Sequence, residues 1–351
     1  MSGDEDASWL RQALTPLPLD ASGSSRDLVC SSINFERPER LPYSLINPVR
    51  SDFFELASLV WRERYAQQKN LKPKGEVYYD EWNIKRERVE GLFDLVIEYP
   101  LSDLAKLDGY AFPQIPCPEI STKHSQAISQ AFEAEKYVLG YDAVNLYDRV
   151  VSLAGLQTAL LGPHQSRLLF ESLLDELTAL TLTQIEHYGR TGKVQGFMTW
   201  QDFGSQKSLV MSLRDFRRFY RPRIQQMIDA LHAQDMHFIW HCCGAIADLI
   251  PEMIEMGVDV VQLDQARLIG YDELSRRFGG KICFWNALDT LWVTQAERTD
   301  KEISTELSSM REALDRFGGG LMLRHYPQPE DIGLSVHVQD VIAEQVSCPQ
   351  Y

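Results

Sequence analysis

The sequence predicts an α/β fold organised around a parallel sheet, with a closed (β/α)8 TIM barrel carrying an N-terminal extension as the leading architecture. Three observations carry that expectation. From residue 194 onward, apolar runs of strand length alternate with amphipathic segments of helix length. Glycine stands at several expected helix ends, at Gly189, Gly257, Gly279 and Gly318, where it supplies a left-handed cap. Five strands read in succession in the second half, with weaker candidates before them. Eight in all would close a barrel, and an open doubly wound sheet is the alternative. No Gly-x-Gly-x-x-Gly follows a strand, so no dinucleotide site is expected.

Residues 1–33 are rich in Ser, Asp, Gly and Pro and read as a loose, irregular arm with one short helix at 9–14, leaving 34–351 as the barrel body. Pro48 can open a helix over 52–68, with Phe53, Leu56, Leu59 and Val60 as its apolar stripe. A short strand follows at 76–79, then an apolar stretch at 92–99 stopped by Pro100 and a turn-rich passage with Pro113, Pro116 and Pro118. A helix is expected at 125–139, a strand at 144–147 and a long helix at 165–188. Strands at 194–200, 237–241, 258–263, 282–285 and 321–323 then alternate with helices at 213–234, 246–256, 271–278 and 302–317.

Composition narrows the function classes. The 351 residues are 44% hydrophobic and 24% charged, which excludes a disordered, collagenous or disulfide-framework protein. A net charge of −15 leaves no basic field to attract nucleic acid. The basic cluster Arg214, Arg217, Arg218, Arg221 and Arg223 repeats near helical spacing and reads as a solvated helix face. Six scattered cysteines fit a reducing compartment. The acidic start Met1-Ser2-Gly3-Asp4-Glu5-Asp6 lacks an apolar region after it, and the weakly polar run 150–162 is too short for a bilayer, so a cytoplasmic protein without a signal peptide is expected.

In a closed barrel the chemistry gathers at the C-terminal strand ends. Those ends are polar here: Trp200-Gln201-Asp202, His241-Cys242-Cys243-Gly244, Asp264-Gln265, Asn286 to Asp289, and Arg324-His325-Tyr326. Along an extended chain His241 and Cys243 share a face while Cys242 points away, so an imidazole and a thiolate can reach one zinc ion. The third donor must come from another strand end, with His325 and Cys283 as candidates. Cys283 lies within its strand and reads as core, whereas His325 directly follows the last strand. Three protein ligands would leave a fourth position open, as in a catalytic site. The His-x-Cys spacing alone favours a buried core pair, and the agreement of His325 brings the two readings level. Asp202 can orient a ligating histidine or hold a substrate hydroxyl, or simply cap the following helix. Asp80 and Glu81, beside Trp82, are candidate acids or a solvated loop. Gln206, Gln265, Asn286, Arg324 and Tyr326 are candidate substrate contacts. His232 and His237 flank a helix end as surface or cap residues.

Taken in order, these segments resemble the uroporphyrinogen decarboxylase superfamily, in particular its branch of corrinoid-dependent (cobalamin) methyltransferases. The likeness starts at Asn34-Phe35-Glu36-Arg37-Pro38-Glu39-Arg40-Leu41-Pro42 and continues through Tyr79-Asp80-Glu81-Trp82-Asn83 and Tyr99-Pro100-Leu101-Ser102-Asp103. It runs on through Trp200-Gln201-Asp202-Phe203-Gly204-Ser205-Gln206, Phe219-Tyr220-Arg221-Pro222, His241-Cys242-Cys243-Gly244, Ile254-Glu255-Met256-Gly257-Val258-Asp259-Val260 and Gln265. The resemblance implies an (α/β)8 barrel, zinc on His241 and Cys243, and a corrinoid carried by a separate protein. The family's third ligand is a cysteine after the last strand, where this chain has His325. That exchange implies a more Lewis-acidic ion, suited to an O-methyl substrate rather than a thiol. Asn286 to Asp289 replace family glycines, which implies an altered pocket floor. The arginine-rich element that grips porphyrinogen carboxylates is missing, which counts against uroporphyrinogen. A decarboxylase of another acid, with Arg267 and Arg324 as carboxylate grips, and a non-enzymatic binding protein are the alternatives. A homodimer is a further expectation for a barrel of this size.

Overall fold

The computed structural model describes residues 10–15, 17, 23–46, 49–60, 73–89, 94–115, 122–326 and 333–346. Among the described residues there are twelve strands: β1 (Tyr43–Ile46), β2 (Val49–Ser51), β3 (Phe53–Glu55), β4 (Val77–Tyr79), β5 (Lys85–Glu87), β6 (Leu95–Glu98), β7 (Tyr137–Tyr141), β8 (Gly196–Trp200), β9 (His237–Cys242), β10 (Val260–Leu263), β11 (Cys283–Asn286) and β12 (Leu321–Arg324). Nine of them form one sheet in the order β2-β1-β12-β11-β10-β9-β8-β7-β3. Every pairing is parallel except β1 with β2, so eight parallel strands and one antiparallel insert make a nearly closed (β/α)8 barrel. The two ends of the sheet approach each other where the Asp52 amide donates to the Tyr43 carbonyl at 2.9 Å.

Parallel strands wrapped by helices are buried on both faces, which is why β7 to β12 read as nearly continuous apolar runs. Alternate residues divide between two compartments. Phe53, Tyr137, Leu139, Met198, Ile239, Val260, Cys283, Trp285 and Met322 fill the barrel interior, with Phe53 stacked on Trp285 at 4.5 Å. Phe54, Val138, Phe197, Trp240, Cys242, Val261, Phe284, Leu321 and Leu323 pack outward against the helices.

The helix Ser25–Ile33 starts with a capping box formed by Ser24 and Asp27. It carries Val29 and Ile33 into the interior cluster. Within the stretch expected as an irregular arm, residues 25–33 are thus helical and packed against the barrel interior. Residues 10–14 are helical, and Lys136 ties this segment down by donating to the carbonyls of Thr15 and Ser51, both at 2.6 Å.

The second-half rhythm matches the sequence reading, and the first half departs from it. The helix expected over 52–68 is preceded by β3, and helix is assigned at 56–60; the rest of that expectation lies outside the described residues. Pairing with β7 and the Trp285 stack outweigh the helical spacing of the apolar residues. The helix expected over 125–139 ends at Glu133, and β7 occupies the last part. The strand expected at 144–147 is instead the entry to the helix Leu146–Ala154. Strands β4, β5 and β6 form a separate antiparallel sheet outside the barrel. The long helix runs Arg167–Thr191 and is capped by Gly192 rather than Gly189. In the arginine-rich helix, Arg217 and Arg221 pair with Glu252 and Arg223 with Asp175, in keeping with a helix face. No helix of the described residues is long and apolar enough to cross a membrane.

Candidate metal centre at the barrel mouth

Strand parity decides which side chains enter the mouth. On β9, Ile239 faces inward, so His241 and Cys243 follow it while Cys242 is buried on the helix side. On β8, Met198 faces inward, and Asp202 follows with the same parity. Cys243 Sγ lies 3.5 Å from His241 Nε2, and Asp202 Oδ1 lies 3.7 Å from that nitrogen. Asp202, His241 and Cys243 offer ligand atoms that all lie within 4.8 Å of one another.

Two loop features bring Asp202 to this pair. Phe203 is buried in an aromatic nest, 4.6 Å from Tyr147, 5.1 Å from Tyr220 and 5.4 Å from Phe216. A π-turn over Phe216–Tyr220 gathers the last two. Gly204 and Gly244 then meet backbone to backbone: a β-carbon on Gly204 would lie 2.3 Å from the Cys243 carbonyl oxygen. Asp202 Oδ1 also accepts the Cys243 amide at 2.8 Å.

The donor set fits zinc. Zn–N and Zn–S lengths near 2.0–2.3 Å with tetrahedral angles require an N···S separation of about 3.5 Å, and the structure has 3.5 Å. Without a cation, burial holds the Cys243 thiol well above its usual pKa, and the charges of Asp264 and Asp202 push the same way. A bound divalent ion opposes that effect and releases the proton. Carboxylate, imidazole and thiolate together would hold a zinc ion with three protein ligands and leave room for one more.

A second layer lies behind His241. Its Nδ1 hydrogen-bonds to Gln262 Oε1, Gln262 Nε2 donates to Asp264 Oδ1 at 2.7 Å, and the Tyr326 hydroxyl donates to Asp264 Oδ2. At the rim Gln206 donates to Gln265 at 2.9 Å, and Gln265 also accepts the Gly244 amide at 3.1 Å. On the other side, Asp148 accepts the Asp202 amide at 3.1 Å, and its own carboxyl is pushed up to about 7 by burial and by the charge of Asp202. Gln262 and Asp148 were missed by the sequence reading, and Asp264 was noted only as a strand end. The inward parity of Val260 reaches both 262 and 264, which is the signal that could have found them.

Several expected site residues lie elsewhere. His325 shares outward parity with Leu321 and Leu323, is 3% exposed, and turns Nδ1 toward its neighbour's carbonyl. It does not belong to the three-residue group, in which Asp202 stands beside His241 and Cys243. Burial, with the Arg324 charge beside it, pushes the His325 pKa down to about 3. Asp80 is a turn former rather than an acid at the centre: Oδ1 accepts the amides of Trp82 and Ile84, and Oδ2 pairs with Arg86 at 2.6 Å. Glu81 is exposed in the same turn. Asn286 has outward parity with Phe284 and accepts the Leu263 amide, so it does not line the interior. Arg324 does point inward, between the rings of Trp285 and Tyr326, but is buried against Glu55 at 3.2 Å. Tyr326 points inward onto Asp264.

Comparison with known proteins agrees with this architecture. Residues 158–319, which span β8 to β11 and the Asp202, His241 and Cys243 positions, match the family model for uroporphyrinogen decarboxylase (URO-D). Among solved structures, a methyltransferase from Methanosarcina mazei superposes with a TM-score of 0.59 at 12% identity, covering 92% of this chain and 99% of that one. The resemblance to the uroporphyrinogen decarboxylase superfamily is thus shown in sequence over residues 158–319, and the solved methyltransferase shows a shared fold over most of the chain. A search of curated proteins returned no match.

Proposed function

We propose that this chain is a zinc-dependent methyltransferase that moves a methyl group between a small O-methyl substrate and a corrinoid carried by a partner protein. The observation that carries this reading is the convergence of Asp202, His241 and Cys243 at the open end of a barrel of this superfamily. Zinc there would act as a Lewis acid on the substrate heteroatom. A carboxylate in place of a second thiolate makes the donor set harder, which favours an oxygen over a sulfur ligand at the open position. Asp202, 43% exposed at its side chain, faces the mouth from which a substrate would arrive. The solved methyltransferase of the same fold supports the reaction class.

The decarboxylase alternative needs a free arginine as a carboxylate grip. Arg324 is paired with Glu55, and Arg267 with Glu306 at 2.6 Å, so neither favours it. The test has two parts. Purified protein should carry about one zinc per chain, lost in His241→Ala and Cys243→Ala. With an O-methyl donor and cob(I)alamin it should then form methylcobalamin, read by absorbance. Metal-free protein that decarboxylates an organic acid equally well in both variants would rule the proposal out.

A further inference from the structure

A ligating histidine has two nitrogens, and the one that faces the metal must be unprotonated. Here the hydrogen-bond chain behind the ring settles which one that is. A carboxylate has only acceptors to offer, so Asp264 must receive the amide NH2 of Gln262, at 2.7 Å. That leaves the Gln262 carbonyl oxygen as the atom facing His241 Nδ1. A carbonyl only accepts, so Nδ1 carries the proton, and in the neutral ring, the form that can ligate, the lone pair sits on Nε2. Nε2 is the nitrogen that lies 3.5 Å from Cys243 Sγ and 3.7 Å from Asp202 Oδ1. The chain is anchored at its far end by the Tyr326 hydroxyl on the other Asp264 oxygen. Gln262 is fully buried and Asp264 is 8% exposed, so solvent does not compete for these bonds.

We infer that Gln262 and Asp264, anchored by Tyr326, are positioning residues that lock His241 with Nδ1 protonated and present Nε2 to the metal. This rests on the metal reading above. Neither residue is one of the three donors: Gln262 acts through the ring, and Asp264, whose Oδ2 also lies 3.9 Å from Cys243 Sγ, sets the polarity of the chain through Gln262.

The first test needs no metal and no variant. In metal-free protein with 15N-labelled histidine, the His241 ring should show a protonated Nδ1 and a bare Nε2, and the opposite tautomer would overturn the inference. The second uses zinc alone, titrated against a chromophoric chelator. Gln262→Leu and Asp264→Asn should each weaken zinc by about 10–100-fold, the usual range for outer partners of a ligating histidine. The double variant Q262E/D264N restores the hydrogen-bond direction, because a carboxylate at 262 accepts from both Nδ1 and the new amide. It should recover most of the lost affinity, which a role in packing alone does not predict. Gln262→Leu that binds zinc as tightly as the parent overturns the inference. If instead the parent binds no zinc, the metal reading fails while the tautomer measurement still stands.

Discussion

A β-carbon at position 244 tests how the third donor is brought to the His241–Cys243 pair. Gly244 has φ +85°, where an L side chain costs about 1–2 kcal/mol. The added carbon would also lie 2.6 Å from the Gly204 carbonyl carbon and 2.6 Å from the Ser205 carbonyl oxygen. Both are backbone atoms, so no side chain can swing aside to relieve the overlap. The two loops must separate, at an overpacking cost of about 1–3 kcal/mol. Gly244→Ala should therefore destabilise the protein by about 2–5 kcal/mol and, by moving the 202–206 loop, stretch the 2.8 Å bond from the Cys243 amide to Asp202. Urea denaturation measures the first effect, and zinc titration in the folded baseline measures the second. A variant within about 0.5 kcal/mol of the parent that also keeps its zinc affinity would refute the claim that this glycine contact holds the centre together.

Three further outcomes follow from the same geometry. Asp202→Asn keeps an oxygen for the Cys243 amide but removes the anionic donor, so zinc affinity should fall beyond the ~10–100-fold typical of outer partners while stability barely changes; unchanged affinity removes Asp202 from the ligand set. His325→Gln should leave zinc binding intact and reduce acid sensitivity. Because the folded pKa lies near 3 and the unfolded value near 6.5, the unfolded chain takes up this proton first. The stability is then complete above about pH 6.5 and lost as pH falls toward 3, about 5 kcal/mol in all. Between pH 7 and pH 4 the parent should lose about 3 kcal/mol more urea stability than the variant, and an equal loss in both contradicts the assignment. Glu55→Gln leaves the Arg324 guanidinium, 2% exposed, without its counter-charge and should cost about 3–5 kcal/mol by denaturation; a loss below about 1 kcal/mol would show that the pair is not isolated from solvent.

Sequence reasoning worked where a local rule was sufficient. The period of two put His241 and Cys243 on one face and Cys242 on the other, as the two core compartments bear out. Strand and helix lengths with glycine stops located β8 to β12 within a few residues. Before residue 194 the local signals were weaker than the tertiary ones. Phe53, Leu56, Leu59 and Val60 have helical spacing, yet Phe53 is held in a strand by its stack on Trp285, more than two hundred residues away.

What the sequence by itself determined is the barrel's repeating half, the likeness to the uroporphyrinogen decarboxylase model over residues 158–319, and two of the three side chains that cluster at the mouth, because each depends on neighbours along the chain. Only the tertiary structure decided the third. Leu321, Met322, Leu323 and Arg324 are all buried, so no polar alternation marks which side of β12 faces inward, and His325 looked as eligible as Tyr326. A parallel strand covered on both faces hides its parity from its own sequence. Asp202 was a plausible cap until the backbone contact between Gly204 and Gly244 set it beside Cys243, and that closeness exists only once two separate loops have packed together.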